Sequence, residues 1–360
     1  MKISFYCPLK PISHPTPSGD REIARGLHSF LSSRAEVFVV SEFRSRLFFR
    51  SPLKILSWLI ELIRAYKRVR REKPDVFFTY HLYYKAPDPI NFLLAWWFRK
   101  PYFVFEGMYA RQKSRRFGFW SGYILTKFAL RYATRIFSDK TEDFEFLERW
   151  FPGKSVYLPP SVDVSFFSSD ALKKSAARNR FGVGEAPLIV TVAMLRPDRK
   201  TEGVEFLVRA LAGIKQDFLW LHVGGGACEE QVKKMSASLL GEKGRLLGQL
   251  SPLEIREVLS AADIFAFPGL DEGFGLVYVE AQAAGLPVVA FNNGGIPDAV
   301  KEEVTAFLTP VNDENAYREA MLRLLNDSAL RAKMGQEAVA YASEKFDRTK
   351  NYERLWNLLH

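Results

Sequence analysis

Cysteine is nearly absent from this chain of 360 residues: Cys7 and Cys228 stand far apart, one in the first apolar run and one after a glycine loop. Two such residues make no disulfide framework, which fits a reducing compartment. Histidine is scarce too, and the five present, at 14, 28, 81, 222 and 360, show no metal-ligand spacing. The motif Asp-x-Asp does not occur. Long apolar runs are also lacking: the longest, residues 90–98, contains Asn91 and falls far short of the ~20 residues that span a bilayer. The opening Met-Lys-Ile-Ser-Phe-Tyr reads as a strand, without the apolar stretch and small-residue cleavage site of a signal peptide. Short repeats and low-complexity tracts are missing as well. These absences predict a protein that is cytoplasmic, either soluble or peripheral on the inner face of the cytoplasmic membrane.

What is present is an uneven charge. Residues 1–170 hold 28 Lys and Arg against 16 Asp and Glu, while the remainder hold 23 against 25. The basic half is rich in aromatics. A helical pattern over residues 53–71 has an apolar face and ends in Lys67, Arg68, Arg70 and Arg71; Trp96-Trp97-Phe98-Arg99-Lys100 and residues 111–120 repeat the mixture. An apolar helical face with a cationic end suits an anionic membrane surface, although a core helix with solvated ends gives the same pattern. No nucleic-acid-binding motif accompanies the charge, so nucleic acid is not expected as a partner.

Short β-rich runs alternate with helical patterns throughout, which predicts parallel sheets in doubly wound α/β domains. Strands are expected at 2–7, 36–40, 75–80, 102–105, 135–138 and 156–158, then at 188–193, 218–223, 245–247, 264–267, 287–291 and 306–308. The strand-free stretch 168–186 ends in turn residues and marks the break. This gives domains at 1–170 and 171–345, followed by a terminal helical segment, 346–360.

Residues 264–295 carry the most chemistry: a buried strand, a glycine loop, a helix holding Glu280, a second buried strand and a Gly-Gly turn. Glu272 lies in the loop, and the helix is read with its first amides at Gly273, Phe274 and Gly275 and with Glu280 about two turns on. A helix N-terminus offers unpaired N–H donors and a positive dipole to an anion, and glycine lets a phosphate approach. One carboxylate on each side of such a site can hold the hydroxyls flanking a diphosphate, as in a nucleoside-diphosphate sugar.

The string Glu-Gly-Phe-Gly, then Glu-Ala-x-Ala-x-Gly-x-Pro-Val-Val-Ala and Gly-Gly, resembles the Glu-x7-Glu signature of retaining GT-B glycosyltransferases, the group 1 family. The resemblance implies two Rossmann-like domains facing across a cleft, acceptor on the first and nucleotide mainly on the second, with the terminal helix crossing back to the first domain. It also implies that Glu272 orients donor-sugar hydroxyls, that Glu280 binds the ribose, and that Gly273, Phe274, Gly275 and Leu276 offer amides to phosphate. Residues 192–204 resemble the family's strand-end loop, which brings an Arg and a Lys to the donor diphosphate. The family's arginine falls on Met194, so the roles pass to Arg196 and Lys200, with Arg199 competing for either. Fixed cations there stabilise the charge that builds on a departing diphosphate.

Further matches keep chain order. Pro160-Ser161-Val162-Asp163 resembles a family junction motif, Gly224-Gly225-Gly226 a strand-end turn, and the 246–250 loop, with Leu250, the loop that receives the base. The loop 14–20, with Gly19, corresponds to a family Gly-Gly loop, although prolines and an N-cap explain the same string. Where many relatives place a His after the fourth strand, this chain has Glu106-Gly107, and Glu106 is the candidate for a donor-sugar contact. His81, after the preceding strand, either faces the cleft in its place or is a satisfied structural histidine, the reading favoured for it. The expected reaction moves a sugar from a UDP or GDP sugar to a hydroxyl of a glycan or lipid-linked glycan. It proceeds with retention and without metal or other cofactor, protein cations and a helix terminus replacing the metal. A nucleotide-sugar epimerase of the same fold and a catalytically silent nucleotide-sugar-binding scaffold are the alternatives.

Overall fold

The computed structural model describes residues 1–15, 19–108 and 119–359, apart from the side chains of 19, 20 and 22. Among these, twelve strands form two six-stranded sheets, parallel throughout. The first sheet contains β1 (Lys2–Tyr6), β2 (Glu36–Ser41), β3 (Val76–Leu82), β4 (Tyr102–Gly107), β5 (Arg135–Ser138) and β6 (Ser155–Tyr157), in the order β2-β1-β3-β4-β5-β6. The second contains β7 (Leu188–Val192), β8 (Leu219–Val223), β9 (Gly244–Leu246), β10 (Ile264–Ala266), β11 (Val288–Phe291) and β12 (Ala306–Thr309), in the order β12-β11-β10-β7-β8-β9. Helices cover both faces, so strands such as Val-Val-Ala-Phe in β11 are buried along their whole length and read as unbroken apolar runs.

The chain divides into residues 1–159 with those from Asn351 onward, and residues 160–350. This moves the break upstream of the 168–186 stretch. Val162, Val164 and Phe167 pack into the second core, and Asp163 caps the Val164–Phe167 helix, so residues 160–170 belong with the second unit. The stretch itself holds the Ala171–Arg180 helix, tied to the start of β7 by Asp263: its carboxylate meets Lys174 at 2.6 Å and Arg178 at 2.9 Å and accepts from the Leu188 amide. The last helix, Arg348–Asn357, places Tyr352 and Leu355 against Ala24, Leu27 and Leu31 in the first unit's core.

The first unit is organised around a buried acid. Asp88 accepts hydrogen bonds from Thr79 Oγ1 at 2.6 Å and Tyr102 Oη at 2.8 Å, and from the amides of Ile90, Asn91 and Phe92. It thereby joins β3, β4 and the start of the Asn91–Phe98 helix. Burial raises its carboxyl from the usual range, and this set of donors opposes that rise. Among the described residues no helix is long and apolar enough to cross a membrane.

Candidate functional site

In the second sheet the chain winds outward from β7 through β8 to β9, then returns to place β10 on the other side of β7. A doubly wound sheet opens a crevice at such a reversal, outside the carboxyl ends of its strands. A pocket of about 400 Å³ lies there. Its wall is built from strand ends: Ala193 and Met194 after β7, Gly224 and Gly225 after β8, and Phe267 after β10. Gln249 and Leu250 follow β9, and Glu272, Gly275, Leu276 and Glu280 complete the lining with Lys200.

Local chemistry fixes each part. Asp198 accepts from the Lys200 amide at 2.9 Å and caps the Arg199–Ala212 helix, which places Lys200 in its first turn. A cation there opposes the helix dipole and is tolerated where a counter-anion is held. The held anion is Glu272, whose Oε1 lies 2.7 Å from Lys200 Nζ. Glu272 is only 10 % exposed, whereas Lys200 keeps 43 % of its side chain in solvent, so the pair joins a largely buried acid to a half-exposed cation at the pocket's edge.

The glycine loop positions the second helix. It runs Leu276–Ala283, with Gly275 as its N-cap in the left-handed region at φ 78°. A side chain at 275 would also bring its Cβ to 2.5 Å from the ring of Tyr278. Tyr278 is fully buried and donates to the Phe267 carbonyl at 3.1 Å, locking the helix to the end of β10. Behind the loop, Gly294 and Gly295 pack on the backbone of Glu272 and Gly273, and the Gly295 amide bonds the Glu272 carbonyl at 3.0 Å. A Cβ on Gly295 would lie 2.0 Å from the Gly273 carbonyl oxygen, so the Gly-Gly turn is the seat of the Glu272 loop.

Some sequence expectations require correction. The helix does not begin at Gly273: its first amides are those of Leu276 and Val277, which line the pocket, and Gly275 is the cap. Glu280 is therefore little more than one turn in. Gly273 and Phe274 precede the helix and do not line the pocket; the Phe274 ring is buried against Phe346, 5.7 Å away. Arg196 is exposed outside the lining. Arg199 is exposed as well and paired with Glu202 at 2.7 Å and Asp271 at 3.4 Å, so Lys200 is the cation that enters the pocket.

Glu280 has an unusual environment. Burial pushes its carboxyl up to about 7, from an ordinary 4.5. A carboxyl that titrates near neutrality, in one lining with the first helix amides and the Lys200–Glu272 pair, is suited to hydroxyls and an anion in one ligand. Sequence reading missed Ile255 and Val277 in the lining; Ile255 belongs to the Pro252–Ala261 helix, and no local motif marks it.

The remaining candidates lie in the first unit. Gly19 opens the Gly19–Ser32 helix, and residues 16–18 of its loop fall outside the described residues. His81 and Glu106, at the carboxyl ends of β3 and β4, both occupy the left-handed region, at φ 61° and 54°. His81 Nδ1 lies 2.8 Å from Glu106 Oε2, and Tyr80 Oη donates to Glu106 Oε1 at 3.0 Å. Asp139, after β5, is pushed up to about 7 by burial and by the nearby Glu106 charge. Two adjacent strands ending in strained, mutually bonded polar residues are a feature that functional sites share.

Residues 174–340 match the family model for glycosyl transferases group 1. A GDP-mannose-dependent alpha-(1-6)-phosphatidylinositol monomannoside mannosyltransferase of Mycolicibacterium smegmatis is 33 % identical over 214 residues, 56 % of this chain and 55 % of that one. A D-inositol 3-phosphate glycosyltransferase of Corynebacterium glutamicum is 32 % identical over 204 residues, 53 % and 48 % of the two chains. The matched region is thus about half the length of these curated relatives. Among solved structures, Anabaena HepE in complex with UDP superposes with a TM-score of 0.78 at 19 % identity, covering 100 % of this chain and 99 % of that one. That likeness shows the fold, two parallel α/β sheets of the GT-B class.

Proposed function

The second unit of this chain belongs to the group 1 glycosyltransferases, and from that premise we propose that the protein transfers a sugar, with retention of anomeric configuration and without metal, from a nucleoside-diphosphate sugar to a hydroxyl of a glycan or lipid-linked glycan. The observation that carries the reading is the convergence of Lys200, Glu272, Glu280 and the first amides of the Leu276–Ala283 helix on one pocket at the sheet's reversal.

Each group has a task in this reading. The Leu276 and Val277 amides and the Lys200 ammonium receive the diphosphate. Glu280 accepts from ribose hydroxyls, and Glu272, freed from Lys200 as that cation turns to phosphate, accepts from hydroxyls of the donor sugar. The acceptor oxygen bonds to the anomeric carbon on the face from which the diphosphate departs. The bond from that carbon to the phosphate oxygen breaks, and the acceptor proton passes to the leaving phosphate. Negative charge grows on the diphosphate, where fixed donors are most effective. Lys200 and the helix terminus do the work of a cation in a sequence that has no Asp-x-Asp. We assign the acceptor to the first unit, where His81, Glu106 and Asp139 gather at the carboxyl ends of β3, β4 and β5. The relatives named for GDP-mannose and the structure holding UDP support a GDP or UDP donor.

The test is turnover of UDP and GDP sugars against a panel of glycan and glycolipid acceptors in excess EDTA, with the product anomer read by proton NMR. Retained configuration in EDTA is the expected result. Inverted product, loss of transfer on chelation, or epimerisation of donor alone would each replace this mechanism with another.

A further inference from the structure

The Pro52–Glu72 helix has two apolar faces, and only one is used by the core. Ala65 and Val69 are buried, with Trp58 and Leu62 packed beside them. Close to the opposite side, Leu53, Leu56, Ile60 and Ile63 are exposed, Leu53 at 79 % and Ile63 at 57 %. Their spacing of three, four and three residues makes a single stripe. Continued, the stripe reaches Lys67 and Arg70, so it is apolar for three turns and cationic for the next two.

The neighbouring Asn91–Phe98 helix extends this face. Trp96 and Trp97 are exposed at 58 % and 65 %. With Leu62, Ile63, Tyr66 and Leu93 they form an open groove of about 350 Å³. Tyr66 closes one end, its ring 5.6 Å from Phe98 and 6.5 Å from Trp97. Beyond it a second groove of about 400 Å³ carries Arg70, Lys73 and Lys100. The two grooves adjoin through Tyr66, which stacks on Phe98 of the second and lies under Arg70 at 6.0 Å, so an apolar and a cationic recess stand side by side on these two helices.

A soluble surface seldom leaves this much contiguous aliphatic and indole area to water. We propose that this face docks on an anionic bilayer, with the Leu53–Ile63 stripe and the two tryptophans entering the acyl boundary, the groove beside Trp97 seating a lipid chain, and Lys67, Arg70, Lys73 and Lys100 lying over lipid phosphates. Charge complementarity chooses the occupant: a second copy of this chain would bring cations against cations, whereas a phosphate layer neutralises them. The surface belongs to the first unit and shares no residue with the nucleotide pocket's lining, and its test does not depend on the sugar chemistry.

The full chain is mixed with phosphatidylglycerol-containing vesicles or pure phosphatidylcholine vesicles, and co-sedimentation is followed with salt. Acyl-brominated lipid reports quenching of tryptophan fluorescence. The expected result is binding to anionic vesicles with quenching, a portion of it resistant to salt. Trp96→Ser with Trp97→Ser should abolish most of the quenching and the salt-resistant portion. Lys67→Ser with Arg70→Ser and Lys73→Ser should weaken binding on the order of a hundred-fold, at about five-fold per cation. All five positions are exposed, and quenching of the unaltered protein stands even if one variant misfolds. No sedimentation with anionic vesicles at low salt, binding unchanged by either set, or a dimer dissociated by Ile60→Ser with Ile63→Ser would overturn the proposal.

Discussion

If Glu280 accepts from ribose hydroxyls, nucleotide affinity must depend on pH in a way that belongs to this residue. Its carboxyl is pushed up to about 7 by burial. About one tenth of the free protein then carries the charged form at pH 6 and about nine tenths at pH 8. The charged form is the better double acceptor, so affinity should improve by close to ten-fold over that interval, or about 1.3 kcal/mol. Phosphate titrates in the same range, but equally for wild type and Glu280→Gln, so the ratio of their dissociation constants isolates the carboxylate. Isothermal titration calorimetry at intervals from pH 6 to 8.5 measures it. Stability has the opposite sign. A carboxyl raised from 4.5 to about 7 binds more protons folded than unfolded between those values, so stability falls as pH rises through that window. The loss is roughly 3 kcal/mol, and Glu280→Gln should escape most of it. A ratio of affinities flat across the range would refute the ribose assignment.

Lys200→Ala should lower donor turnover by about ten- to a hundred-fold through the lost phosphate contact, and Glu272→Gln should lower kcat more than nucleotide affinity, both read from steady-state kinetics. Gly275→Ala forces a left-handed cap and a clash with Tyr278; a loss of about 1–3 kcal/mol is expected in denaturant unfolding, with weaker nucleotide binding. Asp88→Asn turns an amide N–H toward the Phe92 N–H now bonded to the carboxylate, and should cost about 1–3 kcal/mol in the same assay while leaving nucleotide binding to the second unit intact.

The strands were legible because parallel strands buried on both faces read as continuous apolar runs between glycine and proline punctuation, as in Val-Val-Ala-Phe of β11. The Glu272–Glu280 loop was legible from its glycines and acids, yet its helix begins later than those glycines suggest, because Gly275 adopts the left-handed cap. Lys200 and Arg199 are adjacent and chemically alike, and only the placement of Glu202 and Asp271 draws Arg199 outward. Asp88, between two prolines, looks like an ordinary turn acid, and its burial depends on Thr79 and Tyr102 from separate strands. The Pro52–Glu72 helix showed its apolar content but not which stripe faces the core, since leucine and isoleucine stand on both. Residues 109–118, with most of the third basic-aromatic cluster, lie outside the described residues.

The central claim is that the pocket at the β7–β10 reversal holds a nucleoside diphosphate through protein groups alone. It is tested most directly by titrating UDP, GDP and ADP, with their sugars, into wild type and Lys200→Ala in excess EDTA, following thermal unfolding and calorimetric heat. One nucleotide should bind, adding about 2.7 kcal/mol of stability at a hundred times its dissociation constant, and Lys200→Ala should bind it at least about ten-fold more weakly. No binding by any of them, binding that requires a divalent cation, or binding that Lys200→Ala leaves unchanged would contradict the account.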